Sequence, residues 1–254
     1  MVHQPTNPQM ARAHQELVLQ REISRLLSPL ILPVVGIVLR WVLGYRIENL
    51  RGFRREYRSL CLEREGPLMI CANHLTMIDS FVIAWALGSP WWYLRHFRTL
   101  PWNVPERSIF AATRFMRMAV YVLKCLPVER GGDRLEVTEV LSSLAHVVSN
   151  REVALIFPEA GRSRTGRVDP ESAASGVGRI YRNVPNCRVI CVYLRGDHQD
   201  HYSYMPVRGE WFRGSVSVIE PKTSYRGLRA SRDIARQIAQ RIANMEQEYF
   251  DGRK

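Results

Sequence analysis

His74 and Asp79 stand five positions apart in ICANHLTMIDSFVIAWAL, residues 70–87. Histidine is the side chain whose unperturbed proton equilibrium lies near neutral pH, so it suits a general base. Such a base needs a partner that fixes its tautomer and steadies the imidazolium, and a carboxylate does both. If His74 sits in a strand-to-helix loop, the turn folds the Asp79 carboxylate back towards Nδ1 and leaves Nε2 facing a pocket. The nucleophile-elbow pattern Gly-x-Ser-x-Gly is missing. The economical chemistry is therefore direct: the base takes a proton from a bound hydroxyl, and that oxygen attacks a carbonyl of a second substrate. General-base help of this kind is worth roughly 10² to 10⁴ in rate. The same residues also fit plain helix capping, with Thr76 as cap and Asp79 three residues on.

Two further stretches carry chemistry at strand ends. LPVER closes on Arg130, and FPEAGRS places Glu159, Gly161, Arg162 and Ser163 in a polar turn. In an α/β fold the ends of strands gather at one rim. There Arg130 and Arg162 can face a phosphate, Gly161 lets the backbone come close, and Ser163 adds a hydroxyl donor. Glu159 can orient an arginine or hold a glycerol hydroxyl. A surface network of ion pairs is the other reading of this spacing.

The elements that must position these residues alternate. GPLMICANH reads as a buried strand ending near Asn73, and Thr76 to Leu87 as a helix. PWWYLRHF reads as a second strand, VPERSIFAATRFMRMAVYVL as a helix with Pro105 near its start, and KCLPVER as a strand. Asp133 and Glu136 frame a capping box for a helix to about residue 149. EVALIFPEAGRS, CRVICVYLRG and SVSVIE read as strands, and SRDIARQIAQRIANMEQEYF as a closing amphipathic helix. This order predicts an α/β sheet covered by helices. No Gly-x-Gly-x-x-Gly follows a strand and no Walker loop is present, so nucleotide-dependent hydride or phosphoryl transfer lacks sequence support.

The N-terminal region is different in kind. Residues 1 to about 15 read as a loose tail. LLSPLILPVVGIVLRWVLGY, residues 26–45, has the length of a bilayer span but holds Pro29, Pro33, Gly36 and Arg40. Arginines 21, 25, 40 and 46 flank or interrupt it, with Trp41 and Tyr45 at one end. An interfacial helix or hairpin dipping into one leaflet is the favoured reading, with a buried core helix and a true span as alternatives. Trp91, Trp92 and Trp102 either touch lipid or pack in the core. The division expected is a flexible tail over 1–20, a membrane-associated helical segment over 21–60 and an α/β domain over 61–254.

The net charge of +12 fits an anionic partner: anionic lipid, nucleic acid or a phosphorylated substrate. Five cysteines without a Cys-x-x-Cys pair, three of them in apolar runs, read as reduced buried thiols in a cytosolic setting. His198 and His201 lack a third metal ligand at sensible spacing.

NHLTMID has an Asn-His-x4-Asp pattern, and FPEAGRS resembles a Phe-Pro-Glu-Gly-Thr-Arg-Ser block. With LPVER between them and VICVYLRG (189–196) after them, residues 65 to 200 resemble the glycerolipid acyltransferases typified by 1-acylglycerol-3-phosphate acyltransferase. The resemblance implies a central mixed sheet covered by helices, His74 as base and Asp79 as its partner. It implies that Arg130, Glu159, Gly161, Arg162 and Ser163 bind the phosphate and glycerol of a lysophospholipid. It also implies an acyl-CoA or acyl carrier protein donor, no metal or other cofactor, membrane lipids as partners, and a peripheral or monotopic place on the cytoplasmic membrane face. Ala160-Gly161 replaces the usual Gly-Thr, and LPVER lacks the usual Phe-Ile, so another lipid acceptor stays open. A non-catalytic lipid-binding protein of the same fold is the competing class. A nucleic-acid binder has no motif to support it.

Overall fold

The computed structural model describes residues 8–63, 66–110, 113–129 and 131–252. The chain opens with α1 (Pro8–Ile37), which runs on through a π-helical turn at Val38–Val42. Then come β1 (Arg46–Ile47), α2 (Leu50–Leu62), β2 (Leu68–Ala72), α3 (Asp79–Leu87), α4 (Pro90–Arg95) and β3 (Trp102–Asn103). The second half holds α5 (Arg107–Phe110), α6 (Arg114–Val122), α7 (Arg134–Ser149), β4 (Val153–Ile156), α8 (Ser175–Arg182), β5 (Arg188–Gly196), β6 (Trp211–Ile219) and α9 (Gly227–Asp251).

Among the described residues the strands form one sheet in the order β1-β6-β5-β2-β4-β3. All neighbours pair parallel except β5 and β6, so the sheet is mixed. β2 lies between β4 and β5, and its five residues are all buried, as an unbroken apolar run demands of a strand covered on both faces. The two-residue period of the strands splits the core. Leu68, Ile70, Leu155 and Ile190 face α2 and α3, while Met69, Cys71, Ala154 and Val189 face α7, α8 and α9. Cys71 is opposite Ile156 in the register, so the chain leaves β2 and β4 side by side and delivers residues 73–74 next to residue 157. The Asn73 side chain extends the β2–β5 ladder by one step: its amide donates to the Leu194 carbonyl at 2.9 Å, and its oxygen accepts from the Leu194 N–H at 2.9 Å.

The described part of the expected N-terminal tail is helical, and the apolar stretch after it is one continuous helix, not a hairpin. Pro29 cannot donate to the Arg25 carbonyl, and the Ser28 hydroxyl does so instead at 2.7 Å. The first half of α1 is fastened to the α/β unit. Gln20 donates to the carbonyls of Tyr121 and Cys125, and Arg21 reaches Glu152 at 3.3 Å. Glu152 also pairs with Lys124 at 3.0 Å and accepts from the Trp102 indole at 2.7 Å. Burial pulls Lys124 down to about 8, against the opposing pull of Glu152. The second half of α1 is not covered in the same way. Leu26, Leu30, Val34, Ile37 and Trp41, three or four residues apart and hence on one face, are all exposed, Leu26 by 78% and Trp41 by 76%. This helix is long and apolar enough to cross a membrane.

Other expectations change as well. PWWYLRHF is not a strand: Ser89 caps α4 by accepting from the Trp92 N–H, and Pro90 opens the helix. KCLPVER makes only isolated bridges, at Cys125 and Val128, because its prolyl and left-handed Lys124 positions break a continuous ladder. The helix expected over VPERSIFAATRFMRMAVYVL is two helices, α5 and α6, the second capped by Thr113. Trp92 and Trp102 are core residues and Trp91 is exposed. All five cysteines are free and buried. β1, at residues 46–47, belongs to the main sheet although it precedes residue 61.

Asn73→Ala leaves two buried backbone groups of Leu194 unpaired. Its unfolding free energy in urea should fall by about 2 to 4 kcal/mol. A change below about 0.5 kcal/mol would show that the side-chain step in the ladder contributes nothing.

Candidate active site

The loop between β2 and α3 carries His74, and it is built around the carboxylate of Asp79. His74 Nδ1 lies 3.0 Å from Asp79 Oδ2. The same oxygen accepts from the Leu75 N–H at 2.5 Å and the Thr76 N–H at 2.7 Å, and the other oxygen accepts from the Thr76 hydroxyl. Half of the capping expectation is met: Asp79 accepts the Thr76 N–H, the return bond of a capping box. The other half is not: the Thr76 hydroxyl donates to Asp79, and the N-cap of α3 is Ile78, without a side-chain bond. A carboxylate only accepts, so Nδ1 carries a proton, and in the neutral ring the lone pair is on Nε2. Both side chains are nearly buried.

The neighbouring strand fixes the ring's other face. Phe157, the first residue after β4, stacks on His74 with centroids 4.0 Å apart and planes 12° apart. The two loops are joined directly: the Ser163 N–H donates to the His74 carbonyl at 2.8 Å. His74 and Arg162 line one cleft of about 410 Å³, together with Met77, Phe81, Leu123 and Phe157. Cavities of similar size lie between α1 and α6, about 490 Å³, and between α7 and α8, about 380 Å³. A further cavity of about 380 Å³ also brings an imidazole, that of His96, beside arginines; the 410 Å³ cleft differs in that its imidazole, that of His74, is hydrogen-bonded to a buried carboxylate.

The remaining residues of the sequence reading are placed as follows. Arg162 reaches the cleft, donates to the Ser203 carbonyl at 3.4 Å and lies over the Tyr202 ring. Ser163 is in the same loop, but its hydroxyl donates to the Arg167 carbonyl and accepts the Arg167 N–H at 3.0 Å, so it closes a local turn. Gly161 follows Ala160, which takes the left-handed conformation at φ 51 that glycine tolerates best. Glu159 does not line the cleft with His74. Its carboxyl accepts a backbone hydrogen bond from Asp169 and feels the charge of Glu246. Arg130 lies outside the described residues. Among the described residues no group of three His, Cys, Asp or Glu side chains is arranged to hold a metal ion. The sequence reading missed Phe157 as a ring support. It was signalled only by its place at the end of an apolar run neighbouring β2.

Residues 47–195, more than half of the chain, match the model of the family described as Acyltransferase. Among solved structures the chain resembles the crystal structure of the 1-acyl-sn-glycerophosphate (LPA) acyltransferase, PlsC, from Thermotoga maritima, with a TM-score of 0.54 and 11% sequence identity. The match covers 87% of this chain and 81% of that one, and at such identity the likeness is one of fold. No curated protein matches the chain.

Burial pushes the Glu159 carboxyl up to about 7 from its ordinary 4.5, and the charges of Glu246 and Asp169 add to the rise. A folded value above the unfolded one stabilises fully below pH 4.5, and that contribution is lost as the pH rises through about 7. Glu159→Gln cannot ionise. Its melting temperature should therefore exceed that of the wild type at pH 8 and show no such gain at pH 4.5. An equal difference at both pH values would contradict a raised Glu159.

Proposed function

The chain belongs to the acyltransferase family, and on that premise we propose that it transfers a fatty acyl group from a thioester to the hydroxyl of a lysophospholipid. The observation that carries this reading is the His74–Asp79 pair at 3.0 Å, opening on a cleft that His74 shares with Arg162. The acceptor class proposed is 1-acylglycerol-3-phosphate, giving phosphatidate. It is the substrate class of the Thermotoga maritima LPA acyltransferase, whose fold is alike. The donor is acyl-CoA or acyl carrier protein.

The chemistry needs few parts. Nε2 of His74 removes the proton of the acceptor hydroxyl as that oxygen attacks the thioester carbonyl. Asp79, hydrogen-bonded at Nδ1, holds the ring and offsets the positive charge that it gains. The tetrahedral adduct collapses with cleavage of the C–S bond. The departing thiolate takes the proton from the imidazolium, so the base is restored and the balance closes on one ester and one thiol. Arg162 holds the phosphate of the acceptor in ground state and transition state alike. Phe81, Leu123 and Met77 give the cleft an apolar wall suited to an acyl chain.

The exposed apolar face of α1 from Leu26 to Trp41 favours contact with the membrane that holds the acceptor. Flanking Arg25 and Arg40 suit anionic headgroups, which supports a peripheral or monotopic attachment at the cytoplasmic face.

His74→Ala should lower kcat for thiol release from acyl-CoA, with lysophosphatidate as acceptor, by about 10² to 10⁴. Binding to lipid vesicles should not change. A variant that releases thiol at the wild-type rate would rule out His74 as the base.

A further inference from the structure

The segment between β5 and β6, residues 197–210, runs beside the two loops that carry His74 and Arg162. The Ser203 N–H donates to the Leu75 carbonyl at 3.1 Å, and the Met77 N–H donates to the Tyr204 carbonyl at 3.3 Å, so the segment runs along the His74 loop on both sides of Thr76. At its far end the Tyr45 hydroxyl donates to the Pro206 carbonyl at 3.1 Å and the Gly209 N–H donates to the Leu43 carbonyl at 2.7 Å. Against the 162–167 turn it is in close contact too: a Cβ added at Gly166, which has φ +70, would stand 2.2 Å from the Asp200 carbonyl oxygen. The segment is therefore fixed by hydrogen bonds at two places and by close contact at a third, and what its side chains touch is held there by the fold.

One of those contacts falls on Arg162. Its guanidinium carbon is 5.4 Å from the centre of the Tyr202 ring, and its Nη1 donates to the Ser203 carbonyl at 3.4 Å. Among the described residues no carboxylate forms an ion pair with Arg162. A long cationic side chain without an anionic partner loses much rotamer freedom when a ligand fixes it. A planar ring beneath the guanidinium removes part of that freedom beforehand and leaves the N–H groups not directed at Ser203 free for an oxyanion. Tyr202 itself is 42% exposed and supports no core packing.

We propose that Tyr202 is a positioning residue that, with the Ser203 carbonyl, sets the Arg162 guanidinium for the anionic headgroup of the acceptor, and so helps to select phosphate-bearing lysolipids. This rests on the reading of Arg162 as the phosphate contact. It adds a determinant that lies about 40 residues beyond the motif that carries the arginine, on a segment with no motif of its own.

The test is steady-state thiol release by the full chain with acyl-CoA, using lysophosphatidate and 1-monoacylglycerol as alternative acceptors. Tyr202→Ala and Tyr202→Leu should each raise the KM for lysophosphatidate about two- to fivefold with kcat unchanged, the scale of an exposed cation–π contact. Tyr202→Phe keeps the ring and should behave as the wild type. Neither replacement should alter kinetics with monoacylglycerol, which has no phosphate. In an Arg162→Ala background, Tyr202→Ala should add nothing further. An unchanged lysophosphatidate KM in both replacements overturns the proposal. So does a rise that persists without Arg162, or one shared by monoacylglycerol. If the wild type releases thiol with no lysolipid at all, the functional reading fails first and the inference goes with it.

Discussion

Four donors converge on the carboxylate of Asp79: the imidazole of His74, the amides of Leu75 and Thr76, and the Thr76 hydroxyl. A buried carboxylate without such partners is costly, whereas one that receives several hydrogen bonds organises the chain around it. Here the chain so organised is the turn from β2 into α3. The ring of His74 has little freedom left in that turn. Nδ1 is held at the carboxylate, one face lies on Phe157, and the backbone carbonyl is tied to Ser163. What remains to the residue is one nitrogen with a lone pair, at the wall of a cleft. A base that is already oriented loses less entropy on reaction than one that must find its geometry, and that is the main physical content of the site.

The rest of the fold serves this arrangement by register. Parallel pairing of β2 with β4 and β5 brings three loops to one rim: the His74 loop, the 157–167 loop and the 197–210 segment. Asn73 carries the sheet one residue past its last main-chain pair, so the loop begins from a fixed point. α1 connects this unit to its surroundings. Its first half is held by polar bonds from Gln20 and Arg21, and its second half shows an apolar face to the exterior. Leu43 and Tyr45, just beyond that apolar stretch, bond to the 197–210 segment, so a helix suited to a lipid surface is one step from the cleft.

Legibility in the sequence followed the range of the interaction. The runs LMICA, VALI and RVICVYLRG show as strands because central strands of a covered sheet are apolar without alternation. The His74–Asp79 contact is local, and spacing in one turn suffices to suggest it. PWWYLRHF misled because aromatic residues favour strands in general, while Ser89 and Pro90 wrote a helix start in front of them. The Thr76 hydroxyl reads as a cap acceptor but donates to Asp79, since spacing shows that a pair interacts and not which member accepts. Ser163 looked like a free donor, but its hydroxyl closes a turn with Arg167 four residues on. The stacking of Phe157 and the bonds from Ser203 and Tyr204 depend on strand register and on a long connection, and no short window of residues contains either.

The most direct test of the central claim is the ¹⁵N spectrum of the histidine rings in the labelled protein near pH 8, with His74→Gln used to assign the His74 signals. The geometry predicts a His74 ring protonated at Nδ1, with its N–H proton shifted downfield by the hydrogen bond to Asp79, and an unprotonated Nε2. A ring that carries its proton on Nε2, or that interconverts freely between the two tautomers, would contradict a base fixed by Asp79 and presented to the cleft.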